Sequence, residues 1–327
     1  MRRRTSVFAL GSLILITVHL AQAQQPKKIS RIGYLSVGDP VSRGDRIEGL
    51  RDGLRELGYI EGKNIAIVYR FAEGRRDRLP DLASELVAEK VDVIFAGGTP
   101  ATNAAQKATA TLPIVTVSDD PVGRRLVAGL PRPGGNITGL SNLTVELVGK
   151  RLQLLKEVLP GLSRLALLCS PSTSTCRSRI EDTEVVAQPL GVQLQLAEIK
   201  HWEDLAPAFA AMKRDRAEAL LTIRTPLIVN DLANRIVDLA EKSRIPGMYD
   251  DRRFTRLGGL MSYGVNLADL DRLAAKFIDK ILRGANPADL PMEQPTKFEL
   301  VINLGTAKAM GLNIPAHLLM ETNKVIE

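Results

Sequence analysis

Arg31-Ile32-Gly33-Tyr34-Leu35-Ser36 and Arg164-Leu165-Ala166-Leu167-Leu168-Cys169 are two versions of one kind of segment. Each opens on an arginine and runs through apolar residues to a small polar side chain, which reads as a buried strand. Outward from the first, Ile47, Leu50, Leu54 and Leu57 recur at helical spacing and stop at Gly58. Strands are expected over 64–69, 91–96 and 112–118, and helices over 79–89 and from Thr99-Pro100 to about Thr109. Outward from the second, helices over 144–159, 178–188, 203–214 and 228–243 alternate with strands over 192–198, 219–223 and 247–249. Two further pairs of segments correspond in the same order. Phe95-Ala96-Gly97-Gly98-Thr99-Pro100 answers Leu221-Thr222-Ile223-Arg224-Thr225-Pro226. Leu112-Pro113 leading to Asp119-Asp120 answers Ile245-Pro246 leading to Asp250-Asp251. Strand–helix alternation of this kind builds parallel sheets covered on both faces. The expected fold class is therefore α/β, with two similar doubly wound parallel-sheet lobes.

The composition suits a packed chain: 327 residues, 45% hydrophobic and 25% charged, enough for two domains. With 4% aromatic residues there is little material for stacking nucleic-acid bases. The net charge of +7 includes Arg2, Arg3 and Arg4, which precede an apolar run from Val7 to Leu20 and then Ala21-Gln22-Ala23. A basic start, a short apolar core and an A-x-A end read as a secretory signal peptide over 1–23, cleaved after Ala23. The run is too short to span a bilayer, which takes about 20 residues. The modest charge left after cleavage speaks against a nucleic-acid partner. Localisation in the periplasm, as a monomer, is the expectation. Cys169 and Cys176 are permitted to pair in an oxidising compartment, and the spacing leaves that question open. His19, His201 and His317 have no ligand-like spacing, so neither a metal nor another cofactor is expected.

In open α/β sheets ligands bind outside the carboxyl ends of the strands. Two such lobes facing each other make the cleft between them the natural site. Gly97-Gly98-Thr99 brings backbone N–H groups to a helix N-terminus, an arrangement suited to a carboxylate or simply to an ordinary tight turn. Asp119 offers negative charge to a ligand ammonium, while Asp120 caps a helix beginning at Pro121. Arg224 either holds a carboxylate with its planar fork or lies solvated at the rim. Tyr249, near a strand end, offers a ring to flank an apolar ligand body, whereas Tyr34 reads as core. Gly139-Leu140-Ser141-Asn142 reads as a crossover between the lobes, with polar side chains in reach of the cleft.

Several strings resemble solute-binding proteins of bacterial ABC importers, in the branch with the tryptophan- and tyrosine-type members. They are Asp119-Asp120-Pro121-Val122-Gly123, Arg132-Pro133-Gly134-Gly135-Asn136-Ile137-Thr138-Gly139, Gly259-Leu260-Met261-Ser262-Tyr263-Gly264 and the C-terminal Asn303-Leu304 to Ile314-Pro315. The resemblance implies a type I periplasmic-binding fold with three crossovers. It implies an N-terminal lobe of 24–140 plus 262–284 and a C-terminal lobe of 141–261 plus 295–327. Carried across, it implies ligand contacts at Ser36, Thr99, Asp119, Ser141, Asn142, Ser170 and Tyr249, to which the reading above adds Gly98 and Arg224. Cys169-Ser170-Pro171-Ser172 and Arg124-Arg125 depart from the family's usual residues at those places.

The expected function is an exported binding protein that captures a small organic solute, an amino acid or related carboxylate, by hinge closure and delivers it to an ABC permease. The alternative is an exported ligand-sensing lobe for a membrane receptor. An enzyme is not expected. Two-lobed racemases use one cysteine from each lobe, whereas both cysteines here fall within one lobe, and no G-x-S-x-G elbow occurs.

Overall fold

Ser30–Ser36 forms β1, the buried strand around which the first lobe is laid. A computed structural model describes residues 29–142, 147–171, 174–225 and 227–327. The expected signal peptide and its cleavage after Ala23 lie outside the described residues. After β1 come α1 (Gly44–Glu56), β2 (Ile65–Phe71), α2 (Leu79–Ala88), β3 (Val93–Gly97), α3 (Thr99–Ala108), β4 (Ile114–Ser118) and β5 (Ile137–Ser141). The second lobe opens with α4 (Val148–Val158), β6 (Arg164–Cys169), α5 (Ser174–Ala187), β7 (Gln193–Glu198) and α6 (Leu205–Arg214). It continues with β8 (Ala219–Thr222), α7 (Ala233–Ser243), β9 (Gly247–Tyr249), α8 (Arg252–Arg256) and β10 (Met261–Gly264). Then follow α9 (Leu267–Leu282), β11 (Glu299–Asn303), α10 (Leu304–Ala309), α11 (Ala316–Glu321) and β12 (Lys324–Ile326).

Among the described residues the strands form two sheets, β2-β1-β3-β4-β5 and β12-β11-β10-β9-β8-β6-β7. All pairings are parallel except β10 with β11. Each sheet is covered on both faces, as alternating strands and helices require. In the first lobe, Leu82, Leu86 and Ala101 pack on one face, and Leu50, Leu54, Phe277 and Ile278 on the other. In the second, Leu152, Leu155 and Leu318 cover one face, and Phe209, Ile236 and Phe254 the other. The α/β class and the two doubly wound lobes are as the sequence predicts.

α9 belongs to the first lobe by packing although it follows ten strands in sequence. It lies along α1 so closely that a Cβ on Gly53 would sit 2.1 Å from the Arg272 carbonyl oxygen, and one on Gly49 2.3 Å from that of Ala268. Glycine is what permits this backbone approach. Leu290 and Met292 also pack into first-lobe core, and the Thr138 hydroxyl donates to the Leu290 carbonyl at 2.7 Å. The chain thus passes between lobes after β5, between β10 and α9, and between Glu293 and β11.

Three local expectations differ from the structure. Gly139 to Asn142 is not crossover: Ile137–Ser141 is a fifth strand, paired residue for residue with Ile114–Ser118. Its pattern is too short to stand out beside Pro131 to Gly135, yet Ile137 and Leu140 are buried and β4 needs a neighbour. Gly139 has φ +135° and lies against Thr116, where a Cβ would meet the carbonyl oxygen at 2.1 Å. Residues 262–264 pair in the second sheet as part of β10, so the return to the first lobe starts after Gly264 rather than at Ser262. No helix begins at Pro121; residues 121–125 form turns. Asp120 takes φ +39°, a left-handed value that a short Asp tolerates, and its carboxylate accepts from the Gly123 N–H at 2.9 Å. Among the described residues no helix is long and apolar enough to cross a membrane, and no group of three His, Cys, Asp or Glu is placed to hold a metal.

Candidate functional site

The carboxyl ends of the strands of both lobes face a common cleft, held closed at its rim. Arg253 donates to the Ser42 carbonyl at 2.9 Å, and Arg256 reaches Asp45 at 3.1 Å. Inside lie two small cavities. One, about 70 Å³, is lined from the first lobe by Arg43 and Arg46 and from the second by Arg224, Asp250 and Asp251. The other, about 20 Å³, has Asp119 on the first-lobe side and Arg151, Arg179, Thr222, Arg224 and Asp250 on the other. A water needs some 10–15 Å³ and ligand pockets run to roughly 300–1,000 Å³, so the lobes must part to admit a solute.

The polar groups of this cleft fall into two sets. In the first, every charge is matched. Asp271, on the buried face of α9, takes two hydrogen bonds from Arg46, at 2.7 and 2.6 Å. Burial still holds its carboxyl above the ordinary range, against the pull of Arg46. Asp251 caps α8 through the Arg253 N–H at 2.9 Å and pairs with Arg224 at 2.7 Å. Burial alone raises its carboxyl, but Arg224 and the Arg253 N–H outweigh that and hold it down at about 2.

The second set is unsatisfied. Asp250, 5% exposed, has neither carboxylate oxygen hydrogen-bonded. Burial raises its affinity for a proton, opposed by Arg224 and Arg151. Arg179, equally buried, has a partnerless Nη1 and lies 3.9 Å from Asp119 across the cleft. The Thr222 hydroxyl and the Arg43 Nε also lack partners. Arg151 spends its Nε on the Tyr263 carbonyl, at 2.7 Å. Burial lowers the Arg43 and Arg151 guanidinium groups to about 10. Buried polar atoms without partners cost about 1–3 kcal/mol each, so a cluster of them marks a place where partners arrive from outside.

Of the residues singled out in the sequence, Asp119 and Arg224 line these cavities, Arg224 lining both. Thr99 is used locally: its hydroxyl accepts from the Asp119 N–H at 3.3 Å and so steers that residue. Gly98 precedes α3 at φ +112°, and the Ser36 hydroxyl accepts from the Gly38 N–H. Ser141 and Asn142 are buried at the end of β5, where their N–H groups bond Glu293 and Ser118 carbonyls. Ser170 is buried after β6. Tyr249 lines neither cavity: it is wholly buried, its ring stacked on Phe254 at 4.4 Å, with its hydroxyl unpartnered. Cys169 and Cys176 form a disulfide that ties the end of β6 to the α5 helix carrying Arg179.

Arg151 and Arg179 were not anticipated, although their helical phase holds a clue. Arg151 shares a face with Val148, Leu155 and Val158, and Arg179 lies one turn from Cys176 and from Thr183. A charge in the buried phase of a helix is a call for a partner. Arg43, in a loop, carries no such signal.

Two α/β lobes joined by three passages and closed over buried, unsatisfied charge define a bilobal solute-binding protein. The chain belongs to the ABC transporter substrate binding protein family, whose model matches residues 37–326. It is 26% identical over 288 residues to a tyrosine-binding protein of Clostridioides difficile, covering 88% of this chain and 82% of that one. Its fold matches an ABC domain of Streptococcus pneumoniae crystallised in complex with L-Trp, with TM-score 0.83 and 27% identity over 91% of this chain and 99% of that one. A conserved domain protein of Vibrio cholerae matches with TM-score 0.84 and 27% identity, over 91% and 100% of the two chains. The type I periplasmic-binding fold follows, and the family is one of solute binders rather than enzymes.

Proposed function

We propose that this chain is the exported receptor of an ABC importer, which captures a small amino acid or related carboxylate between its lobes and hands it to the membrane permease. The observation that carries the reading is the meeting of Asp119 from one lobe with Arg179 from the other, beside the unpartnered carboxylate of Asp250. A zwitterion supplies an ammonium for the carboxylates and a carboxylate for the guanidinium groups. A solute touching both lobes stabilises the closed form by its differential affinity for it. The similar proteins that carry tyrosine or L-Trp support the amino-acid class. The basic, apolar, A-x-A start supports export with cleavage after Ala23.

The test is a thermal-shift screen of residues 24–327 against the common amino acids and small carboxylates. A ligand at 100 times its dissociation constant adds about 2.7 kcal/mol, visible as a raised melting temperature. A screen in which none of these compounds shifts the transition would sink the reading. Fractionation of cells expressing the full chain checks export: the processed protein is expected in the periplasmic fraction.

A further inference from the structure

We propose that the cleft selects a compact acidic amino acid, one bearing a second carboxylate and no aromatic ring. The inference rests on the solute-binding reading above and specifies its ligand. Its first ground is a count of charge. Arg43, Arg46, Arg151, Arg179, Arg224 and Arg253 face Asp119, Asp250, Asp251 and Asp271, six guanidinium groups against four carboxylates. At the rim, Arg252 with Glu299 and Arg256 with Asp45 are paired among themselves. The surplus of positive charge favours a solute of net negative charge, such as an amino dicarboxylate.

The second ground is where the unmet groups stand. Arg46 and Arg224 already hold Asp271 and Asp251, and Arg253 is bonded to the Ser42 and Val229 carbonyls, so the open guanidinium groups are Arg43 on one side of Arg224, and Arg151 and Arg179 on the other. Arg43 belongs to the first lobe and the larger cavity, Arg179 to the second lobe and the smaller. Asp250 lines both cavities, with both oxygens open. A short α-amino dicarboxylate fits this order: its α-carboxylate on Arg179, its ammonium on Asp250 and its side-chain carboxylate on Arg43. Bridging the two cavities also bridges the two lobes. The third ground is negative but local. Among the described residues no aromatic side chain lines either cavity, and the ring that stands nearest by sequence, Tyr249, is stacked on Phe254. An aromatic ligand body would find guanidinium donors where it needs apolar surface.

Calorimetric titration of residues 24–327 with L-glutamate, L-aspartate, glutarate, L-tyrosine and L-tryptophan tests this. L-aspartate or L-glutamate is expected to bind at least tenfold more tightly than either aromatic amino acid, and glutarate, lacking the ammonium, more weakly than L-glutamate. Arg43→Gln is expected to weaken the acidic amino acid at least tenfold with the melting temperature of the unliganded protein retained, and Arg43→Lys to recover part of the loss. Tighter binding of L-tyrosine or L-tryptophan would overturn the acidic selectivity and leave the solute-binding reading standing. Glutarate binding more tightly than L-glutamate would overturn the placement of the ammonium on Asp250. Silence from all five compounds, and from the wider amino-acid screen, would overturn both.

Discussion

Asp271 in the first lobe and Asp250 in the second are both buried carboxylates beside arginines, and they are treated in opposite ways. Asp271 receives both hydrogen bonds that Arg46 can offer it; Asp250 receives none. The first arrangement fastens α9 to α1 and completes a lobe. The second leaves a charge unanswered at the meeting of two lobes. A paired buried charge is part of the structure, and an unpaired one is a request for a ligand.

The comparison breaks most sharply at its structural end. Asp271→Ala leaves Arg46 buried without its partner, and a loss of about 3–5 kcal/mol is expected in urea unfolding. If the loss stays under 1 kcal/mol, Asp271 is not the fastening described. The corresponding staple in the second lobe is the Cys169–Cys176 disulfide. Reducing it is expected to remove about 2 kcal/mol for so short a loop, and to weaken solute binding by loosening the helix that carries Arg179. Next comes Asp251→Ala, which deprives α8 of its cap and Arg224 of its partner, at about 1–2 kcal/mol. Its first-lobe counterpart Asp120 caps only an exposed turn, and Asp120→Ala is expected to cost about 0.5 kcal/mol.

Asp250→Asn should reverse the sign. Because burial raises its folded-state carboxyl above the ordinary value near 3.8, Asp250 favours the fold at low pH, and that contribution is lost as pH rises through its folded-state value. Asparagine there removes the loss, so a slightly more stable protein at pH 7 that no longer binds its solute is the expected result. Asp251 runs the other way. Held at about 2, it contributes stability above pH 4 that disappears as the pH falls through 2. Unfolding followed from pH 7 to pH 2 in Asp251→Asn and Asp250→Asn separates the two. Parallel profiles would end the distinction.

Much of this contrast was legible before any coordinates. The repeated Asp-Asp after Leu-Pro and Ile-Pro placed both acid pairs at strand ends, because strand–helix alternation fixes where the carboxyl ends must lie. At both pairs the second Asp caps, Asp120 a turn rather than the expected helix and Asp251 the α8 helix, while Asp119, Asp250 and Asp251 all line the cavities. What remained hidden depended on contacts far apart in sequence. β5 reads as a loop because five residues carry too little periodicity, and only the open edge of β4 explains them. Arg46 and Asp271 find each other across 225 residues. Tyr249, an aromatic at a strand end, looks like a wall of the site, but its stack on Phe254 in the second-lobe core shows only once the fold is in place.

The clasp between α1 and α9 also sets a timetable. A ribosome delivers the first five strands long before it delivers residues 267–282, yet Leu50, Leu54, Phe277 and Ile278 share one side of the first sheet's core. Until α9 emerges, that side of the sheet is covered by α1 alone and stays partly exposed. The first lobe to be made is thus the last to be finished, and the nascent chain depends on being kept from aggregation while it waits.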